Sequence, residues 1–520
     1  MARQKSEDPI VPKGGRKPSP SVFGRGGKGV PVDQEKAQLG LPFATAGSRQ
    51  GTTEEALAQP SPRPGPKADV EHEPAPSATL EVVLSHLDEA VEHVVRNRGA
   101  PGSDGQTVEQ VQRDWPSIRR QLIRELRSGT YSPGPARRKT IAKPDGGERA
   151  LSIPNVVDRV VQQAMRAALQ PLFEPDFSEH SHGFRPQRSC HTAIREARTY
   201  VQEGFRTVVD LDLSKFFDRV NHQRLLARVA RKVESRAVMK LLNRLLRSET
   251  MMPQGVLVRS EEGVPQGGPL SPLLSNIVLD ELDKELERRG HRFVRYADDI
   301  AIFVRSQRAG ARVMQSITRF IEGRMRLVVN QEKSTVRRPD EGNLLGFRLV
   351  VGPDGDVEID LSARTMKRAH ARIRALTPRN WGGSLRVCLS RLNRYFTGWF
   401  GFFGICTRIC RRHLKELDGR ARRRIRAIQL RHWKRKRTIH RKLNQLKYSR
   451  KVGPAIYKGR RGWWALSGLG VVSHRLNTHW MQERGLESLL QRHEDRYFIE
   501  VAPAQPGLPA QLRLWDELRS

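Results

Sequence analysis

Two adjacent carboxylates, Asp298 and Asp299, interrupt an apolar, β-rich stretch in RYADDIAIFV. Two short apolar segments around a polar pair are typical of a β-hairpin, which would carry both acids at its tip. Charges about 4 Å apart repel by roughly 4 kcal/mol at an effective dielectric constant near 20, so a divalent cation favours their joint ionisation. The residues suggest a metal site, and an ordinary polar turn is the alternative.

A second pair of acids, Asp210 and Asp212, lies in the apolar segment TVVDLDL at 207–213, which we predict to be a strand. Because strand side chains alternate, residues two apart share a face. Asp oxygens are hard ligands that suit Mg²⁺. Three carboxylates from two strands could hold two ions about 3.5 to 4 Å apart, an arrangement that supports in-line phosphoryl transfer. The spacing does not choose between Asp210 and Asp212.

The segments around these acids predict a mixed α and β region between helical ones. Helical periodicity starts near Leu80, and Asn155 is the expected N-cap of a long amphipathic helix in VVDRVVQQAMRAALQPLF. After Gly383 the pattern is helical again, and residues 408–451 are crowded with Arg and Lys on helices with one apolar face. Residues 1–78, rich in Pro, Gly and Ser, predict a disordered basic arm.

The charge balance indicates a polyanionic partner. Lys and Arg number 93 against 56 Asp and Glu, which gives a net charge of +37 and a pI near 11.0. Nucleic acid is the first candidate. With no long apolar run and a mean hydropathy of -0.60, we expect no membrane attachment. No secretory signal is recognisable, so we expect a cytoplasmic, nucleoid-associated protein. The four cysteines form no Cys-x-x-Cys pair, which disfavours disulfides and thiolate zinc sites.

The order of the motifs over about residues 80–500 resembles that of group II intron reverse transcriptases, also called maturases. RNRGAPGSDGQTV resembles the N-terminal extension of the family, and KPDGGERALSIPNVVDRVVQ and HGFRPQRSCHTAI resemble its fingers blocks. VVDLDLSKFFD and RYADDIAIFV resemble the palm motifs, and EGVPQGGPLSPLLSNIVLDELD resembles the nucleotide-pocket block. The resemblance implies an α+β fold, with the fingers and palm of a right-hand polymerase followed by an α-helical thumb or maturase domain and a small basic C-terminal domain.

The implied domain boundaries follow this order. We expect a disordered basic arm at 1–78, reverse transcriptase fingers and palm at 79–361, a thumb or maturase domain at 362–440, a DNA-binding-like region at 441–500 and a tail at 501–520.

The resemblance also implies roles for individual residues. It assigns the third metal-binding carboxylate to Asp212 and not to Asp210, beside Asp298 and Asp299, and adds the backbone carbonyl of Leu213 and two Mg²⁺ ions. For the nucleotide it implies a steric gate at Phe217, a contact from Gln266, and a close backbone approach at Gly267 and Gly268. The basic nucleotide contacts would be Lys143, Arg149 and Lys333, and the nucleic-acid contacts would be Arg185, Arg188, Gly346, Arg422, Arg423 and Arg424.

The implied function is that of an RNA-directed DNA polymerase that copies intron RNA and assists splicing and mobility. Its partners would be group II intron RNA, target DNA, a primer strand and dNTPs. The absence of cysteines after Cys410 predicts that the zinc-stabilised endonuclease of many relatives is missing. Trp463 and Trp464 could stack on bases, although buried core positions are the expectation. The alternatives are a splicing-only maturase and a domesticated or defence-associated reverse transcriptase.

Overall fold

The computed structural model describes residues 77–142, 148–259, 261–446, 456–457 and 462–501. Nearly all of the predicted arm at 1–78 and of the tail at 501–520 lies outside these ranges, as does the predicted nucleotide contact Lys143. Among the described residues, no helix is both long enough and apolar enough to cross a membrane.

Helices and strands alternate in the first two thirds of the described chain, and helices alone follow. The strands are β1 Ala136–Ala142, β2 Glu148–Ile153, β3 Thr207–Leu211, β4 Thr250–Met251, β5 Leu257–Val258, β6 Arg292–Tyr296, β7 Asp299–Val304, β8 Thr335–Arg337, β9 Phe347–Val351 and β10 Val357–Leu361. The helices are α1 Leu80–Ser85, α2 Leu87–Arg96, α3 Val108–Ser128, α4 Val156–Phe173, α5 Cys190–Gln202, α6 His222–Val229, α7 Arg236–Leu246, α8 Ser271–Arg288, α9 Gln307–Phe320, α10 Ala363–Leu376, α11 Leu385–Phe403, α12 Arg411–Trp433, α13 Lys436–Gln445, α14 Trp463–Ser467, α15 Gly470–Arg475, α16 Thr478–Gln482 and α17 Leu489–Val501. The predicted α+β class is confirmed.

Side-chain caps begin some of the helices, but not all of them. Thr107 begins α3 with a reciprocal capping box to Gln110, and Ser189 caps α5 as its sequence predicts. The predicted long helix α4 is confirmed, but the side chain of Asn155 does not cap it. Its amide oxygen instead accepts a hydrogen bond of 2.9 Å from the backbone N–H of Ser103, because a loop from the N-terminal helices passes there.

An antiparallel sheet with strand order β6-β7-β3-β8 forms the palm and carries both pairs of acids. Side chains alternate across its two faces, so each face enters a different core. One face packs with α4, α8 and α9 through Val209, Leu211, Phe293, Ile300 and Ile302. The other packs with α5, β9, β10 and the C-terminal helices through Val208, Val294, Ala301 and Phe303. This double burial fixes the register of the strands that carry the acids.

The fingers contain a second sheet, with strand order β2-β1-β4-β5. β1 and β2 form an antiparallel hairpin in which Ile141 pairs with Arg149, and β4 pairs in parallel with β1. This hairpin brings the Arg149 segment toward the nucleotide-pocket block, because the N–H of Ser152 donates to the carbonyl of Gln266 at 3.0 Å.

The helical region after β10 begins at α10, whose N-cap is Ser362. α14 and α17 both pack against the long basic helix α12. Leu466 and Trp480 from the C-terminal region share one hydrophobic core with Leu417 and Ile425 of α12. The described part of 441–500 is therefore packed into the thumb and does not have a core of its own.

Candidate active site

The tip of the β6–β7 hairpin carries Asp298 and Asp299, which confirms the predicted hairpin. Tyr296 pairs with Asp299 across the hairpin, so Ala297 and Asp298 form the turn. Ala297 is buried and has a φ of +58°. This left-handed conformation costs a residue with a Cβ roughly 1 kcal/mol, which the surrounding contacts must offset. The turn sets two carboxylates side by side at one end of the sheet.

The neighbouring strand β3 brings the other two acids to the same end. Asp210 pairs with Ala301 and Leu211 pairs with Ile300 of β7. The next residue along β3, Asp212, therefore reaches the level of Asp299. The four carboxylates that the sequence singled out lie in one region.

Different cations accompany the two acids of β3. Asp210 forms an ion pair with Arg337 of β8, inside the sheet. Asp212 lies 3.5 Å from the Nζ of Lys333, whose side chain is 63% exposed. The backbone N–H of Asp212 donates to the Oγ of Ser334 at 3.1 Å, and this hydrogen bond holds Asp212 at the end of the sheet. Asp210 thus has a guanidinium partner within the fold, whereas Asp212 faces a lysine at the cleft surface.

The surroundings of Asp298 and Asp299 raise the pKa of both carboxyl groups. The pKa of Asp299 is raised to about 7, by the protein atoms that displace water around it and then by Asp298, Asp210 and Asp212. Burial also raises the pKa of Asp298, while the positive charge of Arg149 lowers it.

This donor set fits a hard divalent cation. Its ligands are carboxylate oxygens, and a cation would offset the repulsion between them. The carbonyl of Leu213 is a further expected ligand. Leu213 is buried beside Asp212 and pairs with Val329 in an isolated antiparallel β-bridge. Among the described residues, no three His, Cys, Asp or Glu side chains are already arranged as a metal-ligand cluster. The fit therefore rests on the chemistry and the proximity of Asp212, Asp298 and Asp299.

The predicted steric gate and the nucleotide-pocket block are in direct contact. Phe217 lies in the 3₁₀ segment Phe216–Asp218 directly after β3, and its ring packs edge-on against Phe216 at 5.2 Å. The backbone N–H of Val264 donates to the carbonyl of Phe217 at 2.7 Å. Gln266 follows two residues later and is half-buried. The fold thus joins two motifs that are about fifty residues apart in the sequence.

The two glycines of this block lie close to the fingers. Gly267 has a φ of +134°, and a Cβ there would lie 2.7 Å from the carbonyl oxygen of Ser152. A Cβ on Gly268 would collide with the side chain of Gln162. The protein itself therefore requires glycine at both positions, and the approach to a nucleotide stays a prediction.

Two of the expected basic nucleotide contacts are in the described part of the chain. Arg149 is exposed on β2 and lies near enough to Asp298 and Asp299 for its charge to lower the pKa of both. Lys333 lies beside Asp212. Arg149 precedes the acids in the sequence and Lys333 follows them. Arg149 thus brings positive charge to the carboxylates from the fingers, and Lys333 brings it from the palm.

Arg185 is a correction to the sequence analysis. Its side chain is only 6% exposed, and its Nε donates to Glu174 at 2.7 Å. A further guanidinium nitrogen donates to the carbonyl of Ser181 at 3.0 Å. The residue ties the fingers loop together and is not available to a template phosphate. Arg188 is also held in this loop, by the backbone carbonyl of Glu179 and an ion pair of 3.5 Å to its carboxylate.

Gly346 lies where the palm meets the first thumb helices. Its φ is +94°, and a Cβ there would lie 3.1 Å from both the ring of Phe403 and the hydroxyl of Thr365. The Thr365 hydroxyl donates to the Gly346 carbonyl at 2.6 Å. This packing alone requires glycine here, and the nucleic-acid contact of Gly346 stays a prediction.

The three arginines expected to bind nucleic acid on α12 divide into two kinds. Arg424 is buried, and its guanidinium donates to the carbonyl oxygen and hydroxyl of Thr377 and to the carbonyl of Arg374. This corrects its predicted role, because the charge is used inside the thumb. Arg423 is exposed and Arg422 is half-buried. These two remain at the surface.

The tryptophan pair of α14 lies at the surface, contrary to the expectation of core positions. Trp463 is 39% exposed, with Arg431 5.7 Å from its ring centroid. Arg379 and Arg423 lie 4.5 and 4.3 Å from the ring of Trp464. Arginine placed on an aromatic ring is a recurrent arrangement of surfaces that stack on bases.

The sequence did not indicate which cations contact the acids of β3 and the tryptophans of α14. Arg337 on β8 decides which acid of β3 is neutralised, and Arg379 covers one tryptophan. Both residues lie far along the chain from their partners, and neither has a local pattern that distinguishes it from a solvated surface charge.

The palm sheet, with a carboxylate-bearing hairpin beside a carboxylate-bearing strand, defines a palm-type nucleic-acid polymerase. Residues 141–349 match the family described as "Reverse transcriptase (RNA-dependent DNA polymerase)", and residues 366–448 match "Group II intron, maturase-specific domain". The chain belongs to the group II intron reverse transcriptases and maturases, a family of RNA-directed DNA polymerases.

Individual relatives agree with this membership. The chain is 34% identical to Protein YkfC of Escherichia coli over 51% of this chain and 80% of that protein. It is 28% identical to the group II intron-encoded protein LtrA of Lactococcus lactis over 46% of this chain and 51% of LtrA. It is 29% identical to the putative COX1/OXI3 intron 2 protein of Saccharomyces cerevisiae over 45% of this chain and 34% of that protein. The aligned part thus spans about half or less of the two intron-encoded relatives.

Proposed function

We propose that this chain copies RNA into DNA, with group II intron RNA as its template, and that it assists the splicing and mobility of that intron. The observation that carries the proposal is the meeting of Asp212 with Asp298 and Asp299 at one end of the palm sheet. The family matches over residues 141–349 and 366–448 support the polymerase and the maturase parts separately.

We assign the metal ligands to Asp212, Asp298 and Asp299, with the carbonyl of Leu213. Two Mg²⁺ ions bound there would help to deprotonate a primer 3′ hydroxyl and stabilise the charge that develops on the leaving pyrophosphate. The pairing of Asp210 with Arg337 supports the choice of Asp212, because a carboxylate engaged by a guanidinium is a poorer cation ligand.

The other residues of the cleft would bind and select the nucleotide. Arg149 would orient the triphosphate, since it is an exposed cation near the acids. Phe217 follows β3 directly, where a bulky ring would clash with a ribose 2′ hydroxyl. Gln266 would contact the incoming nucleotide from the segment that is hydrogen-bonded to Phe217 through Val264.

The thumb would hold the RNA. From Gly419 to Gln445 the sequence has no Asp or Glu, and Arg422 and Arg423 lie at the surface of α12. Trp463 and Trp464 add aromatic rings next to these cations. Phosphates would bind the arginines, and unpaired bases would stack on the exposed ring of Trp463. Intron RNA and target DNA as partners would keep the protein in the cytoplasm, at the nucleoid.

Primer extension by the full chain tests the polymerase. An RNA template annealed to a DNA primer should be extended with dNTPs in the presence of Mg²⁺. Asp298→Asn should lose on the order of 10²- to 10³-fold in rate, because it removes a charge that acts on the transition state. Extension by Asp298→Asn at the wild-type rate would contradict the proposal.

Splicing is measured separately, with a precursor RNA that contains the intron. Asp298→Asn should still promote splicing at the wild-type level, because the thumb is unchanged. If the wild-type chain extends primers but does not promote splicing of the precursor, the polymerase part of the proposal stands and the maturase part is wrong.

A further inference from the structure

One arginine of the catalytic hairpin is enclosed by the protein. Arg295 lies on β6, two residues before the turn, and both its side chain and that of Asp283 are 0% exposed. Its Nε and one terminal nitrogen donate to the two carboxylate oxygens of Asp283 at 2.7 and 2.5 Å. This is a bidentate pair, the geometry in which a guanidinium has least freedom to move.

The same guanidinium reaches the turn itself. Its other terminal nitrogen donates to the backbone carbonyl of Ala297 at 3.1 Å and to the amide oxygen of Asn276 at 3.0 Å. Ala297 is the residue with the positive φ, and it directly precedes Asp298. Surrounding contacts must hold a residue with a Cβ in the left-handed conformation. Here the guanidinium of Arg295, itself fixed by Asp283, donates a hydrogen bond to the carbonyl of Ala297.

Helix α8 supplies the fixed end of this arrangement. Asn276 and Asp283 both belong to α8, which is buried along most of its length in the fingers-and-palm core. The amide nitrogen of Asn276 donates to the carbonyl of Gly183 at 2.9 Å. A Cβ on Gly183 would collide with the backbone N of Ala297, so this loop presses on the other side of the turn.

The backbone of Arg295 is fixed as well. Its N–H donates to the carbonyl of His180 at 2.9 Å, and its carbonyl accepts from the N–H of His182 at 2.8 Å. The segment before Gly183 therefore pairs with β6 through one parallel β-bridge, between Ser181 and Arg295. The hydrogen bonds of Arg295 that the structure describes are all made to the hairpin, to α8 or to this segment.

We infer that Arg295, anchored by Asp283 and Asn276, is a positioning residue that sets the Ala297 turn and thereby the metal-binding geometry of Asp298 and Asp299. It does not touch substrate or metal. The inference rests on the proposed polymerase function only for its activity readout, because metal binding can be measured without any reaction.

A charge-neutral double variant tests this. Arg295→Met with Asp283→Leu replaces a buried ion pair by apolar side chains of similar size, a change that buried pairs often tolerate. The variant should fold with a melting temperature near that of the wild type. It has no donor for the Ala297 carbonyl, so kcat for primer extension should fall by about tenfold to 10²-fold, the loss that small misplacements of reacting groups cause. The Mg²⁺ concentration for half-maximal rate should rise.

The matched control is an ion pair on the same helix that is remote from the turn. Arg228 of α6 forms a partly exposed ion pair with Glu281 of α8, and Arg228→Met with Glu281→Leu removes this pair from the same helix. This control should leave the Mg²⁺ midpoint unchanged. If it shifts the midpoint as much as the Arg295 variant does, the effect belongs to α8 in general and the inference is wrong.

Metal binding gives the readout without activity. Titration with Mn²⁺, followed by the loss of the free-ion electron paramagnetic resonance signal, should show weaker binding in the Arg295→Met, Asp283→Leu variant than in the wild type. Unchanged Mn²⁺ binding and kcat in the folded variant would overturn the inference. A wild-type protein that binds Mn²⁺ tightly but extends no primer would contradict the proposed function and leave the positioning role standing.

A single conservative variant carries the test should the double variant fail to fold. Arg295→Lys keeps the charge opposite Asp283 but has one nitrogen in place of the planar fork, so it cannot serve Asp283 and Ala297 with the same geometry. It should bind Mn²⁺ more weakly than the wild type. Wild-type Mn²⁺ affinity in a folded Arg295→Lys protein would overturn the inference.

Discussion

The palm and the thumb each collect charges of one sign, but they do so in different ways. At the end of the palm sheet, Asp298 and Asp299 adjoin Asp210 and Asp212, and burial and then repulsion by these carboxylates raise the pKa of Asp299 to about 7. On α12, burial and then neighbouring arginines lower the pKa of Arg424 to about 10. In each region, burial and neighbouring charges of the same sign disfavour the ionised form.

The difference lies in how exactly the groups are held. Asp210 and Asp299 lie on paired strands, and Asp212 and Asp298 are directly next to them in the chain, so the pairing of the strands fixes the positions of all four. The surface arginines of α12 are long side chains spread along a helix, and several of them can contact one phosphate backbone. Single changes should therefore be severe in the palm and graded in the thumb, and four experiments test this contrast.

The largest effect should separate the two acids of β3. Asp212→Asn should reduce primer extension by on the order of 10²- to 10³-fold, because it removes a charge that acts on the transition state. Asp210→Asn is the matched control, and it should lose less than about tenfold because Asp210 is already neutralised by Arg337. The measurement is single-turnover extension at saturating Mg²⁺. A larger loss for Asp210→Asn than for Asp212→Asn would reverse the assignment.

Acid should weaken metal binding in the palm. With its pKa near 7 in the metal-free protein, Asp299 is mostly protonated at pH 6 and mostly ionised at pH 8. A cation must displace that proton, so its apparent affinity should rise from pH 6 to pH 8. Mn²⁺ titrations at the two pH values measure this. Equal affinity at both, in a protein that stays folded, would show that the carboxylates do not repel each other as the geometry indicates.

The thumb should show a smaller effect, on stability. Arg424→Met leaves the carbonyl groups of Thr377 and Arg374 without their donors, so it should destabilise the fold by about 1 to 3 kcal/mol. Arg423→Met changes an exposed residue of the same helix and should cost less than about 0.5 kcal/mol. Urea unfolding of the two variants compares them. Equal destabilisation would mean that burial does not separate the two arginines.

The smallest effect should appear in RNA binding, with the order of the two variants reversed. Arg423→Met should reduce the slope of log affinity against log salt by about one, as expected for a lost phosphate contact. Arg424→Met, once folded, should leave that slope unchanged because its charge is buried. Filter binding of intron RNA at several salt concentrations gives the slopes. A reduced slope in Arg424→Met alone would place the phosphate contact at the wrong arginine.

The sequence predicted the local features of the molecule well. Periodicity and capping signals among neighbouring residues account for the β6–β7 hairpin, the strand β3, the long helix α4 and the Ser189 cap. The order of the motifs also indicated the family that the comparisons show. These features depend on neighbours in the chain, and a single sequence contains that information.

The errors have a common cause, which is that charge in a sequence does not reveal burial. Arg185 and Arg424 look like any surface arginine, yet Glu174 and Thr377 take up their donors. In each case the deciding partner comes from another element, and no local pattern predicts which carbonyl or ring will lie there.

The carboxylate motifs, the elements that carry them and the excess of positive charge can be read from the sequence. Which of these charges are free to act depends on the fold. Arg337 meets Asp210 across two strands and leaves Asp212 to the cleft, and Arg295 meets Asp283 in the interior and holds the turn before Asp298. The physical reason is that an ionised group must find its partner in space, and folding alone brings residues that are distant in the chain within hydrogen-bonding distance.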